Sequence, residues 1–154
     1  MLQLVNYMET KQNKIKILLV DDDEMMRIYF RDIFWIHGRS DTYEIIMASS
    51  LIEAEERVTN KETKPDTIFL DMMMPVEGAK NGPEDQIDRT LSFIKKVKSA
   101  GETKNTKIII YSSQKEKFLK EEVAKLGVDG YLVKGELMPK EIIEFTDKIH
   151  ESNN

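Results

Sequence analysis

The chain is 154 residues long and carries 23 Lys and Arg against 28 Asp and Glu, a formal charge of −5 that disfavours a protein built to coat nucleic acid. It has no cysteine, hence no disulfide framework, and no apolar run approaches the ~18 residues of a membrane span. The opening residues Met1-Leu2-Gln3-Leu4-Val5-Asn6-Tyr7 lack the basic and long apolar regions of a signal peptide, so a cytoplasmic location with no membrane contact is expected. This length suits one domain with a sizeable core.

Residues 1–13 show no period and end in the polar run Glu9-Thr10-Lys11-Gln12-Asn13, the pattern of a mobile tail. Residues 14–20 carry Ile15, Ile17, Leu18, Leu19 and Val20, a buried strand that runs into Asp21-Asp22-Asp23-Glu24. Met26, Phe30, Ile33 and Phe34 then recur at helical spacing, with Trp35 and Ile36 extending the apolar face, Asp23 as the natural N-cap and Gly38 as the stop. A strand is expected over 43–48, and Ser50 caps a helix whose apolar positions are Leu51, Ala54 and Val58.

Thr67-Ile68-Phe69-Leu70 has no polar alternation and reads as a strand buried on both faces, ending abruptly on Asp71. Pro75 cannot continue a central strand, so the chain turns away there into a polar loop at 76–85. Helical spacing resumes with Ile87, Leu91, Ile94 and Val97; a strand over 107–111 ends on Ser112-Ser113; a helix follows over 115–126 with Gly127 at its end. Tyr131-Leu132-Val133 is the last strand, ending on Lys134, and 139–149 the last helix, with Pro139 in its first turn. Five strands alternating with five helices make a parallel sheet covered on both faces.

Such a sheet gathers the polar residues at its strand ends, Asp21, Asp22, Asp71, Ser112 and Lys134, along one edge, where open α/β sheets bind ligands. Each has an ordinary reading: an acidic helix start, a turn former, an N-cap, a solvated lysine. Together they describe chemistry. Converging carboxylates repel one another, and a hard divalent cation relieves that repulsion; oxygen-only ligation suits Mg²⁺, while the absence of Cys and the presence of only His37 and His150 argue against zinc or copper. A carboxylate can attack phosphorus, and a cation, a lysine and a hydroxyl would neutralise the transferring phosphoryl oxygens.

The segments Leu18-Leu19-Val20-Asp21-Asp22-Asp23, Leu70-Asp71-Met72-Met73-Met74-Pro75, Ile109-Ile110-Tyr111-Ser112-Ser113 and Gly130-Tyr131-Leu132-Val133-Lys134 together resemble the receiver domain of two-component response regulators, over residues 14–150. The resemblance implies a flavodoxin-like α/β fold with strand order 2-1-3-4-5. It implies that Asp71 is the phosphoacceptor and that Asp22 ligates Mg²⁺ directly, with Asp21 acting through water and Met73 through its backbone carbonyl. Ser112 and Lys134 would bind the phosphoryl group, and Tyr131 would be the aromatic switch residue. Ser112 would reach the phosphoryl oxygens by an inward movement of its loop, with Tyr131 rotating into the vacated space. A sensor histidine kinase or a phosphotransfer protein would be the donor. The face formed by 115–126, 131–133 and 139–149 would bind a downstream protein or a second copy of the chain.

Two features depart from the family pattern. Gly135 stands where proline usually follows the lysine, and the 76–85 passage is longer than usual. The expected function is a stand-alone phosphoaccepting receiver with no output domain and no direct nucleic-acid contact. A Mg²⁺-dependent phosphohydrolase of the haloacid dehalogenase type would need an acid/base Asp two residues after the nucleophile, where this chain has Met73. A receiver-like interaction module that is never phosphorylated is the third class, and the complete acidic set speaks against it.

Overall fold

The computed structural model describes residues 13–75 and 82–151. Five parallel strands, β1 Ile15–Val20, β2 Tyr43–Ala48, β3 Thr67–Leu70, β4 Lys107–Ser112 and β5 Gly130–Val133, form one sheet of order 2-1-3-4-5, the flavodoxin-like order. Five helices alternate with them: α1 Glu24–Ile36, α2 Leu51–Thr59, α3 Pro83–Ser99, α4 Lys117–Lys125 and α5 Pro139–Glu151.

The strands alternate their side chains between two cores, as the pleat requires. Leu18, Val20, Ile68, Leu70, Ile108 and Ile110 face α2, α3 and α4. Ile17, Leu19, Phe69, Ile109 and Tyr111 face α1 and α5. All four residues of β3 are buried, which is why that strand carries no polar alternation. The second core is aromatic at its centre: the Phe30 ring lies 5.1 Å from Phe34, 4.9 Å from Phe69 and 5.9 Å from Tyr111, centroid to centroid.

Asp23 caps α1, its carboxylate accepting from the Met25 and Met26 amides, and the Ser50 hydroxyl accepts from the Glu53 amide at the start of α2. Three boundaries differ from expectation by two residues or more. α3 begins at Pro83, inside the expected 76–85 loop, because Pro at the first helical position and Glu84 and Asp85 in the first turn form a helix start without a side-chain cap. Residues 76–81 of that loop, and the expected tail apart from Asn13, lie outside the described residues. α4 begins at Lys117, not 115, because the preceding polar groups are engaged elsewhere: the Tyr131 hydroxyl donates to the Gln114 carbonyl at 2.7 Å and Lys115 pairs with Glu136 at 2.9 Å. The last helix continues to Glu151.

At the sheet end opposite the acidic edge, Asp147 of α5 accepts from Arg39 at 2.5 Å and from the Tyr43 hydroxyl at 2.7 Å, tying the edge strand and the loop after α1 to α5. Beside it the His150 imidazole meets the Thr67 hydroxyl at 3.0 Å, and burial holds its pKa below the ordinary 6.5 while Asp66 and Asp147 pull it up and Lys107 pushes it down. The folded protein therefore resists the proton that an unfolded histidine accepts, so this contribution to stability is present above about pH 6.5 and lost as pH falls. The urea midpoint is expected to drop between about pH 7 and pH 5.5, and His150→Gln should flatten that part of the profile. An unchanged slope in the variant would assign the loss to other groups.

Candidate functional site

The parallel register delivers the site. β1 and β3 end together, Val20 beside Leu70 and Leu70 beside Ile110, and β4 and β5 run two residues further to the pair Ser112 and Val133, so Asp21, Asp71 and Lys134, each one residue past a strand, converge around Ser112, the last residue of β4. Asp71 is 8% exposed, and three donors orient its carboxylate. Oδ1 accepts from the Ser112 hydroxyl at 3.1 Å and from the Met73 amide at 3.1 Å; Oδ2 accepts from Lys134 Nζ at 2.9 Å. The same ammonium donates to Asp21 Oδ2 at 2.6 Å.

Asp21 is 1% exposed, and burial raises its pKa above the usual aspartate value, outweighing the Lys134 and Asp23 hydrogen bonds that lower it. Burial also works against the Lys134 charge, but here the hydrogen bonds it donates to Asp21 and Asp71 outweigh it and hold the ammonium above the usual lysine range. An isolated ion pair would shift its two partners apart. Asp21 moves the other way because it is almost completely removed from water and must share its lysine with Asp71.

Asp22 is exposed and completes the acidic group: one oxygen from each of Asp21, Asp22 and Asp71 lies within 4.8 Å of the others. Asp21 and Asp71 share the Lys134 ammonium, so the oxygen-only set of three carboxylates is under-neutralised, and the exposed Asp22 leaves it open to solvent on one side. That set fits a hard divalent cation such as Mg²⁺. Met73 is drawn beside the group by the hydrogen bond its backbone N–H donates to Asp71, and the buried Thr90 hydroxyl pins the same loop by donating to the Met72 carbonyl at 3.1 Å.

The Ser112 hydroxyl already touches the carboxylate, so no inward movement of its loop is required for that contact. Tyr131 is partly buried, its hydroxyl bonded to the Gln114 carbonyl at 2.7 Å and its ring 5.4 Å from Lys120 Nζ. Burial raises its phenol pKa to about 12, with Glu116 and Asp71 adding to the shift. Gly135 has φ +86°, beyond the reach of proline, and no peptide bond among the described residues is cis. The segment after Lys134 is therefore built around a glycine turn in place of the proline geometry usual at this position.

Two residues at the site take no functional role in the sequence motifs. Arg27, one turn into α1, donates to the Asp21 carbonyl at 2.8 Å, and Tyr111 lies with its ring centroid 5.8 Å from Lys134 Nζ. The first reads from sequence as the polar face of an amphipathic helix and the second as an ordinary strand aromatic.

This order of strands, with an acidic pocket at their carboxyl edge opposite a lysine, defines a receiver-type signalling domain. The family model for the response regulator receiver domain matches residues 17–146, and the chain belongs to that family. Among solved structures, the chemotaxis protein CheY4 of Vibrio cholerae is 24% identical, over 88% of this chain and 98% of that one, with a TM-score of 0.69. A CheY-like receiver domain protein from Methanospirillum hungatei is 18% identical over 92% and 98% of the respective chains, TM-score 0.70. A response regulator from Thermotoga maritima is 20% identical over 89% and 98%, TM-score 0.69. Among the described residues, no helix is long and apolar enough to cross a membrane.

Proposed function

We propose that Asp71 accepts a phosphoryl group from a phosphohistidine of a sensor kinase or phosphotransfer protein, and that the receiver occupying residues 14–150 passes this state to a protein partner. The observation that carries the reading is the Asp71 carboxylate itself, nearly buried, with three donors fixing both oxygens at the carboxyl end of the central strand. One carboxylate oxygen forms the new bond to phosphorus, the P–N bond to the donor imidazole breaks, and the released nitrogen takes up a proton.

Asp21, Asp22, Asp71 and the Met73 carbonyl would hold Mg²⁺, whose chemistry is to neutralise charge on the transferring oxygens. Lys134 supplies a point charge for a second phosphoryl oxygen, and Ser112 a hydroxyl donor for a third. The phosphoryl charge would stabilise the arrangement in which Ser112 faces Asp71 and Tyr131 holds the Gln114 carbonyl, and the face formed by 115–126, 131–133 and 139–149 would carry the change to a partner or to a second copy. The domain works as a signalling switch; Met73 in the position of a second acid/base leaves a turnover phosphohydrolase without its proton donor. Intact-mass analysis after incubation with acetyl phosphate or phosphoramidate tests the reading. One phosphoryl addition that depends on Mg²⁺ is expected, and the absence of any addition would favour an unphosphorylated interaction module.

The phosphorylated form should be long-lived. Met73 is apolar and cannot orient an attacking water, and the Gln114 amide is turned to the Glu116 carboxylate, 3.3 Å from both of its oxygens. Met73→Asn should therefore hydrolyse its acyl phosphate faster than wild type, measured as the decay of the phosphorylated mass. Slower decay in the variant would contradict the assignment of this position.

A further inference from the structure

β4 serves the site from both faces. Its consecutive residues point to opposite sides of the sheet, so while Ser112 donates to one Asp71 oxygen, Tyr111 turns into the α1/α5 core beneath the lysine that takes the other. Tyr111 is 3% exposed and clamped between Phe30, at 5.9 Å and a 48° interplanar angle, and Phe69, at 6.4 Å and 87°. Its ring centroid lies 5.8 Å from Lys134 Nζ, within the ~6 Å over which a ring attracts a cation.

Among the described residues, the Lys134 ammonium thus has three partners: Asp21 Oδ2, Asp71 Oδ2 and the Tyr111 ring. The two carboxylates are those that would turn to a cation, and an oxygen shared with a metal is a weaker acceptor for an ammonium that the metal also repels. The ring is the one partner whose attraction survives that exchange. For packing alone, an aliphatic residue would fill this strand position, as Ile109 does two residues before it on the same face.

We propose that Tyr111 is a positioning residue for Lys134: its ring retains the ammonium beside Asp71 while Asp21 and Asp71 turn to the cation, so that the charge is in place for the incoming phosphoryl oxygens. This rests on the reading that the Asp71 site takes a cation and a phosphoryl group. It assigns the effect to the ring face and none to the hydroxyl.

The test compares wild type with Tyr111→Phe, with phenylalanines of increasing ring fluorination at position 111, and with Tyr111→Leu. Fluorination keeps the shape and drains the ring face of negative charge. The first readout needs no phosphorylation: the Lys134 ε-methylene protons, followed by NMR, should be shifted upfield by the ring in wild type and Tyr111→Phe, lose that shift in Tyr111→Leu, and keep it in wild type at saturating Mg²⁺. Disappearance of the shift on adding Mg²⁺ would overturn the proposal, because the ring would then have released the lysine. The second readout is phosphorylation by phosphoramidate. Tyr111→Phe should match wild type within about twofold, and the maximal rate should fall stepwise with fluorination to roughly three- to tenfold below it, with the half-saturating donor concentration unchanged. A flat fluorination series, or a loss already complete in Tyr111→Phe, would overturn the role given to the ring. If wild type takes up no phosphoryl group, the underlying reading fails, and the Lys134 resonances still decide whether the ring holds the ammonium against Mg²⁺.

Discussion

Asp71→Asn is expected to take up no phosphoryl group on any side chain, while keeping its fold. The amide oxygen can still accept from Ser112 and from the Met73 amide, as Oδ1 does at 3.1 Å in each case, but a neutral amide is a poor nucleophile toward phosphorus. The change also removes one of the two carboxylates that hold Lys134, so the ammonium keeps Asp21, at 2.6 Å, as its one remaining carboxylate beside the Tyr111 ring. Two effects should therefore separate. Phosphoryl addition, read by intact mass with acetyl phosphate and Mg²⁺, should fall to the background of the metal-free protein. Mg²⁺ affinity, read by calorimetry, should weaken without vanishing, because Asp21 and Asp22 remain. Phosphoryl addition persisting at the wild-type level in Asp71→Asn would remove Asp71 as the acceptor.

The largest effect on stability is expected from Phe30→Ala. Phe30 is fully buried and stands at the centre of the aromatic group that joins α1 to β3 and β4, touching Phe34, Phe69 and Tyr111. Truncating a buried Phe to Ala removes its transfer free energy and leaves a cavity, costing about 3–5 kcal/mol. Against a total stability of about 5–15 kcal/mol for a domain of this kind, that is a large share. The urea midpoint should fall substantially, and part of the population should be unfolded if the wild type sits at the low end of that range. The control is Trp35→Ala on the same helix: Trp35 is 70% exposed, so its loss should stay within about 0.5 kcal/mol. Similar losses in the two variants would mean that the aromatic core is not where α1 gains its stability.

The two cases divide along the line between what could be read from the sequence and what could not. Asp21, Asp71, Ser112 and Lys134 were legible because each sits at or immediately after the end of an apolar run, and in a parallel sheet strand ends share an edge whatever the details of packing. The amphipathic period of α1 placed Phe30, Ile33 and Phe34 inward for the same reason, that a helix repeats its apolar face every three to four residues, whereas Trp35 and Ile36, expected to extend that face, fall outside the period and are exposed. Both are local regularities of the backbone, and both carry over directly into space.

What only the tertiary structure decided are contacts between elements distant in sequence, whose geometry depends on register and on how each helix settles on the sheet. That Lys134 bonds to Asp21 and Asp71 together, 113 and 63 residues away, follows from the register that brings the ends of β1, β3 and β5 to one edge of the sheet. That Tyr111 lies under that lysine follows from the pleat turning it away from Ser112. Arg27 reaches the Asp21 carbonyl only because α1 folds back from its Asp23 cap over the strand it follows. The composition of the site was thus written in one dimension, by strand ends and apolar periods. Its electrostatic wiring was set by side-chain directions and distances across the sheet, which have no local signature because they are fixed only when the strands pair and the helices pack.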